Sequence, residues 1–343
     1  MFATIKRNIA LLLMLVLVLP VIAACGSTGT GTQAPTAGTT TQATAAVPAT
    51  AAAEPTAAAE PTAAAEPSMA AEPTMATEPT AATGGSTGPV SGKLTLAGSS
   101  ALLPLMQAAA EQFQAKNPGA EVTVTAGGSG KGRSQVCEGS IDIGNSDVPL
   151  SDKEKTDLNC ADAVEAKVAI QAFAPVANKE GPGSVTNLTK DQLVGIFSGQ
   201  ITNWSEVGGD DQEIVLINRL KGSGTRSNMA KFLFDGDDAK FATGASEEDN
   251  SQTVLQTISQ TPGAISYLSF SYLTDSNILA FSVDGVAPTK EDIQNGSWKI
   301  GGPGYSITKG EPSELEKAFL DFVLSDEFQQ SEAFTTAGVV PVK

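Results

Sequence analysis

A short strand, a Gly/Ser turn and a helix follow one another three times along this chain, and this order most restricts its fold. Alternating or apolar runs mark the strands at 93–97, 122–125 and 213–218. Turns rich in Gly and Ser follow at 98–100, 127–130 and 222–225, and helical patterns then cover 101–116, 133–138 and 226–234. Repeated strand–turn–helix units predict an α/β fold that binds its ligand at the carboxyl ends of the strands.

The composition of these turns suits an anion. A Ser at the start of a helix is an ordinary N-cap, so one such turn would mean little. Three turns, each opened by Gly so that a ligand can approach the backbone, predict converging helix N-termini with free N–H groups and positive dipole ends. Arg219 ends the third strand and Arg226 follows its turn. Because a guanidinium can clamp a tetrahedral oxyanion with its planar fork, we expect a small-oxyanion site here.

Composition excludes several classes of function. The chain has no His, which removes Ser-His-Asp and Cys-His nucleophiles, His-ligated zinc and an imidazole base. Its net charge of −17 argues against nucleic-acid binding. Aromatic residues make up 5% of the chain, too few for a platform that stacks bases or sugars.

Residues 1–24 predict a lipoprotein signal peptide. Lys6 and Arg7 precede an apolar run at 9–19 that is too short to span a bilayer. The sequence Ile-Ala-Ala-Cys at 22–25 resembles the bacterial lipobox, in which the chain is cut before Cys and the thiol carries diacylglycerol. We therefore expect Cys25 to anchor the mature chain to the outside of the cell membrane. The alternative is an ordinary secretory signal with an incidental Cys.

Residues 25–88 predict a disordered tether. The segment is almost entirely Ala, Thr, Pro, Gly, Ser and Glu, and a Glu-Pro pair recurs every six residues at Glu54, Glu60, Glu66, Glu72 and Glu78. No repeat carries enough apolar surface to bury, and the regular Pro stops an Ala-rich helix from propagating. We expect a semi-extended spacer that holds the folded part away from the membrane.

The two remaining cysteines, Cys137 and Cys160, form an even pair. In an oxidising compartment they predict a disulfide, and the alternative is two buried thiols. Two Cys without His argue against a metal site.

Six segments follow one another along the chain: GSSALLPL at 98–105, GSG at 128–130, DIGNSD at 142–147, ITNWSEVGG at 201–209, RLKGSGTR at 219–226 and PGAISY at 262–267. Taken together, they resemble the phosphate-binding proteins that feed the high-affinity phosphate ABC transporter. Their order and spacing match over a region from about Lys93 to the C-terminus.

The resemblance implies a set of phosphate-binding residues from the turns, a carboxylate and a basic clamp. Carried over residue by residue, the set is Ser100, Ala101, Ser129, Asp147, Arg219, Ser223, Gly224 and Thr225. Lys131 departs from the family, which usually has a small or hydroxylic residue there, and Arg133 lies two residues further on. These two cations either point to solvent or add charge at the rim of the cleft.

Asp147 would distinguish phosphate from sulfate. Phosphate at neutral pH keeps at least one proton, which a buried carboxylate can accept in a hydrogen bond. Sulfate has no proton to share, so its bare oxygen would face a like charge. The alternative role for Asp147 is an N-cap before Leu150 and Ser151.

The resemblance also implies a two-lobe α/β periplasmic-binding-protein fold of type II, with the ligand cleft at the hinge. We expect lobe 1 at 93–171 plus 281–343 and lobe 2 at 172–280. A capping box at Ser313 and Glu316 predicts the last long helix. The expected protein is a monomer and a non-enzyme without a cofactor, and its partners are inorganic phosphate and a membrane permease. The alternatives are a binding protein for sulfate or molybdate, a secreted phosphatase or serine hydrolase, and a phosphate sensor.

Overall fold

The computed structural model describes residues 89–342, so the signal peptide, Cys25 and the tether lie outside the described residues. The strands are β1 (Ser91–Gly98), β2 (Gly119–Ala126), β3 (Ile143–Ser146), β4 (Val164–Asn178), β5 (Asn187–Leu188), β6 (Val215–Arg219), β7 (Ser246–Glu248), β8 (Ala264–Ser269), β9 (Ile278–Ala280), β10 (Ser282–Val283), β11 (Gly301–Thr308) and β12 (Val339–Val340). The α-helices are α1 (Leu103–Lys116), α2 (Ser129–Glu138), α3 (Asp152–Asp157), α4 (Lys190–Phe197), α5 (Gly224–Phe234), α6 (Ser251–Gln260), α7 (Lys290–Gln294), α8 (Glu314–Val323), α9 (Asp326–Gln329) and α10 (Glu332–Thr336).

The main sheet has the strand order β2-β1-β3-β11-β4-β8-β6-β7, and β9 and β12 also pair with β4. β1 runs parallel to β2 and β3, and β6 runs parallel to β7 and β8. These parallel groups contain the three strand–turn–helix units, and the antiparallel strands β11 and β4 lie between them. The α/β class predicted from the repeated units is confirmed.

Strand β4 is shared between two hydrophobic cores. Its Val168 and Ala169 pack in a core with α1 and α8, where Phe113 and Phe319 meet edge to face. From Ala172 onward, β4 contributes to a second core that is centred on aromatic side chains. The largest of these are Phe173, Phe197, Trp204, Tyr267 and Phe281.

The second core continues beyond the lobe boundary expected at Ala280. Phe281, Trp298 and Ile300 are buried in the same cluster, and the Trp298 indole N–H donates to the Phe173 carbonyl at 3.0 Å. The chain then returns to the first group of strands through β11, which starts at Gly301. The pattern of apolar residues did not reveal this extension, because β10 and α7 are too short to show a period.

The N-caps of the helices agree only in part with those predicted from the sequence. Ser313 and Glu316 form the predicted capping box of α8. Of the three Gly/Ser turns, however, only the third uses its Ser as an N-cap, with the Ser223 hydroxyl accepting from the Arg226 amide. Leu102 and Gly128 occupy the N-cap positions of α1 and α2, and neither makes a side-chain cap bond. In the first turn the Ser99 hydroxyl accepts from the Leu102 N–H at 3.0 Å, and in the second the Ser129 hydroxyl accepts from the Asp147 N–H at 3.0 Å.

Cys137 and Cys160 are joined in a disulfide, with their Cα atoms 5.3 Å apart. Both residues are buried in a small cluster with Val136, Leu150 and Ile307. The bond ties the end of α2 to the loop after α3.

Removing this disulfide is expected to destabilise the protein. The double substitution Cys137→Ala and Cys160→Ala should lower the free energy of unfolding by roughly 3 kcal/mol, since the unfolded chain regains the freedom of a closed loop. Chemical denaturation of wild type and variant checks this value. Reducing agent should shift the midpoint of the wild type and leave the variant unchanged, and an unchanged wild type would contradict the prediction.

Among the helices of residues 89–342, none combines the length and the apolar character needed to cross a bilayer.

Candidate functional site

The carboxyl ends of β1, β2, β3 and β6 bring polar side chains from distant parts of the sequence together. Ser100 follows β1, Ser129 follows β2, Asp147 follows β3 and Arg219 ends β6. All four are at most 3% exposed. A cluster of this kind, at the strand ends of an α/β sheet, is where such folds bind ligands.

Asp147 lies at the centre of a set of hydrogen-bond donors. Its Oδ2 accepts from the Thr225 hydroxyl at 3.0 Å, and its Oδ1 accepts from the Gln171 amide at 3.1 Å and from the Ser99 hydroxyl. The Asp147 backbone N–H donates to the Ser129 hydroxyl at 3.0 Å. A buried carboxylate held in this way is fixed in position, with its oxygens acting as hydrogen-bond acceptors.

The N-cap alternative for Asp147 is wrong. The N-cap of α3 is Ser151, which forms a capping box with Glu154. Asp147 thus has no role in starting that helix, and its carboxylate is available to the site.

Arg219 is the buried cation of the site. Its Nη2 donates to the Asp249 carbonyl at 3.0 Å and its Nε to the Glu248 carbonyl at 3.3 Å, which fixes the plane of the guanidinium. Nη2 also points at the Ser100 hydroxyl at 3.4 Å. Burial lowers the pKa of Arg219, and the negative charge of Asp147 partly opposes this shift. An arginine has so high an intrinsic pKa that the group stays protonated and can face an anion.

Two tyrosines line the same region as neutral donors. The Tyr272 hydroxyl donates to the Ser100 carbonyl at 2.7 Å, and burial raises the pKa of Tyr272 to about 12. The Tyr267 hydroxyl donates to the Asn218 side chain next to Arg219, and burial raises the pKa of Tyr267. Both hydroxyls therefore remain protonated at neutral pH.

Arg226, the second candidate clamp, has a structural role. Its guanidinium pairs with Asp238 and Glu247, and its Nη1 donates to the Arg219 carbonyl at 2.6 Å. It also lies over the Phe241 ring at 4.8 Å. Although burial opposes its charge, the hydrogen bonds to the two carboxylates raise the pKa of Arg226. Its Nε and Nη1 are occupied by protein acceptors, so Arg219 is the better candidate for the clamp.

At Gly224, the third turn packs tightly against Ser129 and Asp147. A Cβ at this position would lie 2.7 Å from the Asp147 Cβ and would overlap the Ser129 hydroxyl. Only Gly therefore lets the start of α5 meet the turns after β2 and β3. The Gly130 N–H also donates to the Gly222 carbonyl at 2.9 Å, so a backbone hydrogen bond joins the second and third turns.

The remaining resemblance-derived residues also lie in this cluster. Ser223 caps α5, and Thr225 bonds to Asp147 from its first turn. Ala101 directly follows Ser100 in the chain, is 1% exposed and belongs to the second core.

Lys131 and Arg133 have different surroundings. Lys131 is exposed and lines a cavity of about 190 Å³ with Lys221 and Asp249 at the outer edge of the cluster. Arg133 follows neither of the two expectations. It is 6% exposed and joins α2 to α3 by pairing with Glu154 at 2.7 Å, so it neither points to solvent nor lies at a rim.

The sequence did not point to four residues of the cluster, namely Ser99, Gln171, Ser251 and Tyr272. Ser99 precedes Ser100, which was in the predicted set, and a single sequence does not show which of two adjacent serines faces the site. Gln171 lies on β4, far along the chain from its partner Asp147. Ser251 had a detectable signal, since Asn250 immediately before it is a good N-cap.

This chain is similar to several known proteins. The family model of the PBP superfamily domain matches residues 24–327. The phosphate-binding protein PstS of Bacillus subtilis (strain 168) is 46% identical over 252 residues, which are 74% of this chain and 81% of that protein. A crystal structure from Clostridium perfringens, described as a phosphate ABC transporter substrate-binding protein with bound phosphate, is 32% identical with a TM-score of 0.68; the match covers 74% of this chain and 100% of that one. An ABC-type phosphate transport receptor from Vibrio cholerae is 25% identical with a TM-score of 0.57, over 72% of this chain and 99% of that one.

Proposed function

This chain belongs to the phosphate-binding substrate-binding proteins of the PBP superfamily, and from this premise we propose that it binds inorganic phosphate outside the cytoplasm and delivers it to an ABC-type permease. It has the two-lobe fold of these proteins. It is a transport receptor and not an enzyme, since delivery of phosphate requires no bond to be broken.

The observation that carries the proposal is a buried carboxylate within a set of donors. Arg219, hydroxyl groups and helix N-termini can satisfy the oxygens of a tetrahedral anion. Asp147 adds an acceptor that only a protonated oxygen can use. The proposed binding residues are Ser100, Ala101, Ser129, Asp147, Arg219, Ser223, Gly224 and Thr225.

The same carboxylate favours phosphate over the other oxyanions. Sulfate and molybdate carry no proton at neutral pH, so one of their oxygens would face the Asp147 carboxylate without a shared hydrogen. The carboxylate would then be left buried and unpaired beside a like charge, which costs several kcal/mol.

Ligand-dependent closure would involve both cores. We assign lobe 1 to 93–171 and the returning C-terminal residues, and lobe 2 to the residues from Ala172 through the end of the second core at Ile300. Closing a monomer of this kind around phosphate would bury the ion and present the closed form to the permease.

Calorimetric titration of residues 89–343 with phosphate, followed by sulfate, tests the function. We expect tight phosphate binding, and no displacement by sulfate at equal concentration. Sulfate binding as tight as phosphate binding would support a general oxyanion carrier instead, and turnover of a phosphate ester would support a phosphatase.

We further propose that Cys25 carries the lipid anchor and that residues 25–88 are the tether. Cys25→Ser should release the protein from the membrane and leave phosphate affinity unchanged, because the tether contributes nothing to the site. Labelling cells with a radioactive fatty acid measures the anchor, and titration measures the affinity. Undiminished lipid labelling of the variant would contradict the assignment.

A further inference from the structure

The structure contains one more strand–turn–helix unit at the site than the sequence analysis recognised. β7 pairs in parallel with β6, with Glu248 opposite Arg219, and α6 starts at Ser251 after a short turn. The first residue of α6 is therefore delivered to the same edge of the sheet as the guanidinium of Arg219. It occupies the place in its unit that Ser129 and Gly224 occupy at the starts of α2 and α5.

Ser251 is fully buried, and both of its polar groups face the site. Its hydroxyl oxygen lies 2.9 Å from the Ser100 hydroxyl oxygen and 3.4 Å from the Arg219 Nη1. Its backbone N–H donates to the Ser100 hydroxyl oxygen at 3.1 Å. The N–H of a first helical residue has no partner within its helix, so it is free to bind a group outside it.

Two donors from different elements thus converge on one oxygen. The Ser251 N–H and the Arg219 Nη2 both point at the Ser100 hydroxyl oxygen, at 3.1 Å and 3.4 Å. An oxygen that receives an amide N–H and a guanidinium N–H has the environment that a bound oxyanion needs. A phosphate oxygen that entered here could take over both bonds, and the Ser100 hydroxyl could rotate to donate to it.

We propose that Ser251 is a direct phosphate ligand, binding through its hydroxyl and its backbone N–H beside Arg219. This inference rests on the proposed function and adds a residue outside the set that the resemblance implies. It also gives lobe 2 a further contact with the ligand, because Ser251 belongs to the strand group of β6 and β7, whereas Ser100 follows β1 in lobe 1. Phosphate held between the two serines would favour the closed arrangement.

Two substitutions separate the hydroxyl from the amide. Ser251→Ala removes the hydroxyl and keeps the N–H. Ser251→Pro removes both, and the first position of a helix tolerates Pro well. The preceding Asn250 has φ −141° and ψ 167°, an extended conformation that the residue before a Pro can adopt.

Phosphate titration is expected to show about tenfold weaker binding for Ser251→Ala and about a hundredfold weaker binding for Ser251→Pro, since each bond to a charged group contributes a factor of this order. The melting temperature without phosphate should change little for Ser251→Ala, while the increase caused by saturating phosphate should shrink. A residue that only stabilised the fold would lower the ligand-free melting temperature and leave the affinity unchanged.

Ser259→Ala is the matched control on the same helix. The Ser259 hydroxyl oxygen lies 2.8 Å from the Leu255 carbonyl oxygen and 2.9 Å from an Asp275 carboxylate oxygen, so it can donate to either of them away from the site. This variant should lose some stability and keep wild-type affinity. Wild-type affinity in both Ser251 variants would overturn the inference and leave the proposed function intact, whereas a wild-type protein that does not bind phosphate would overturn both.

Discussion

Replacing Arg219 with Ala is expected to weaken phosphate binding by about 3 kcal/mol or more, a loss of over a hundredfold in affinity. Arg219 is 1% exposed, so the variant would leave a buried anion without its main cation. The Glu248 and Asp249 carbonyls that orient the guanidinium would also lose their donor.

Two further variants test whether the loss of phosphate affinity is specific to the guanidinium of Arg219. Arg219→Lys keeps the charge and loses the planar fork, so its affinity should lie between those of wild type and Arg219→Ala. Arg226→Ala should mainly lower stability, because its guanidinium is paired with Asp238 and Glu247. Wild-type affinity in Arg219→Ala, measured by titration calorimetry, would place Arg219 outside the site.

Asp147→Asn is expected to change the selectivity of the protein. The substitution keeps the size of the side chain and removes its charge. An Asn oxygen can still accept from Ser99 and Gln171, and its NH₂ group can face Thr225, whose hydroxyl can rotate from donor to acceptor. The variant should therefore fold.

Phosphate affinity should change modestly in this variant, because the lost bond from the phosphate O–H is offset by the lost repulsion. Sulfate binding should improve by about 1–3 kcal/mol, since its bare oxygen now meets an amide donor and not a carboxylate. Paired titrations with both anions at constant ionic strength give the ratio. Asp142→Asn, the same substitution at an acceptor of Thr95 outside the site, is the control and should leave the ratio unchanged. An unchanged ratio in Asp147→Asn would remove Asp147 as the group that detects the proton.

The three strand–turn–helix units were visible in the sequence because their strands are alternating or apolar runs and their turns are rich in Gly. The fourth unit was missed for the opposite reason. β7 consists of Ser246, Glu247 and Glu248, which show no apolar run, and the turn before Ser251 contains no Gly. It becomes a strand only because it pairs with β6, so tertiary contact and not local preference decides its structure.

The roles of the charged residues depended on partners that are distant in sequence. Arg219 and Arg226 flank the same turn, so the local sequence makes both of them candidates for binding an anion. They differ because Asp238 and Glu247 form ion pairs with Arg226. Arg133 pairs with Glu154 from α3, a contact that no local pattern predicts. Residue types predicted a small-oxyanion site, the resemblance singled out Arg219, and the ion pairs of Arg226 give a structural reason for that choice.

A crystal structure of residues 89–343 grown with phosphate tests the central claim most directly. The proposed function predicts one tetrahedral anion between Asp147 and Arg219, with an oxygen within hydrogen-bond distance of the Asp147 carboxylate and another within reach of the Arg219 guanidinium. Phosphate bound at another place on the protein, or an Asp147 carboxylate that makes no contact with the bound ion, would contradict it.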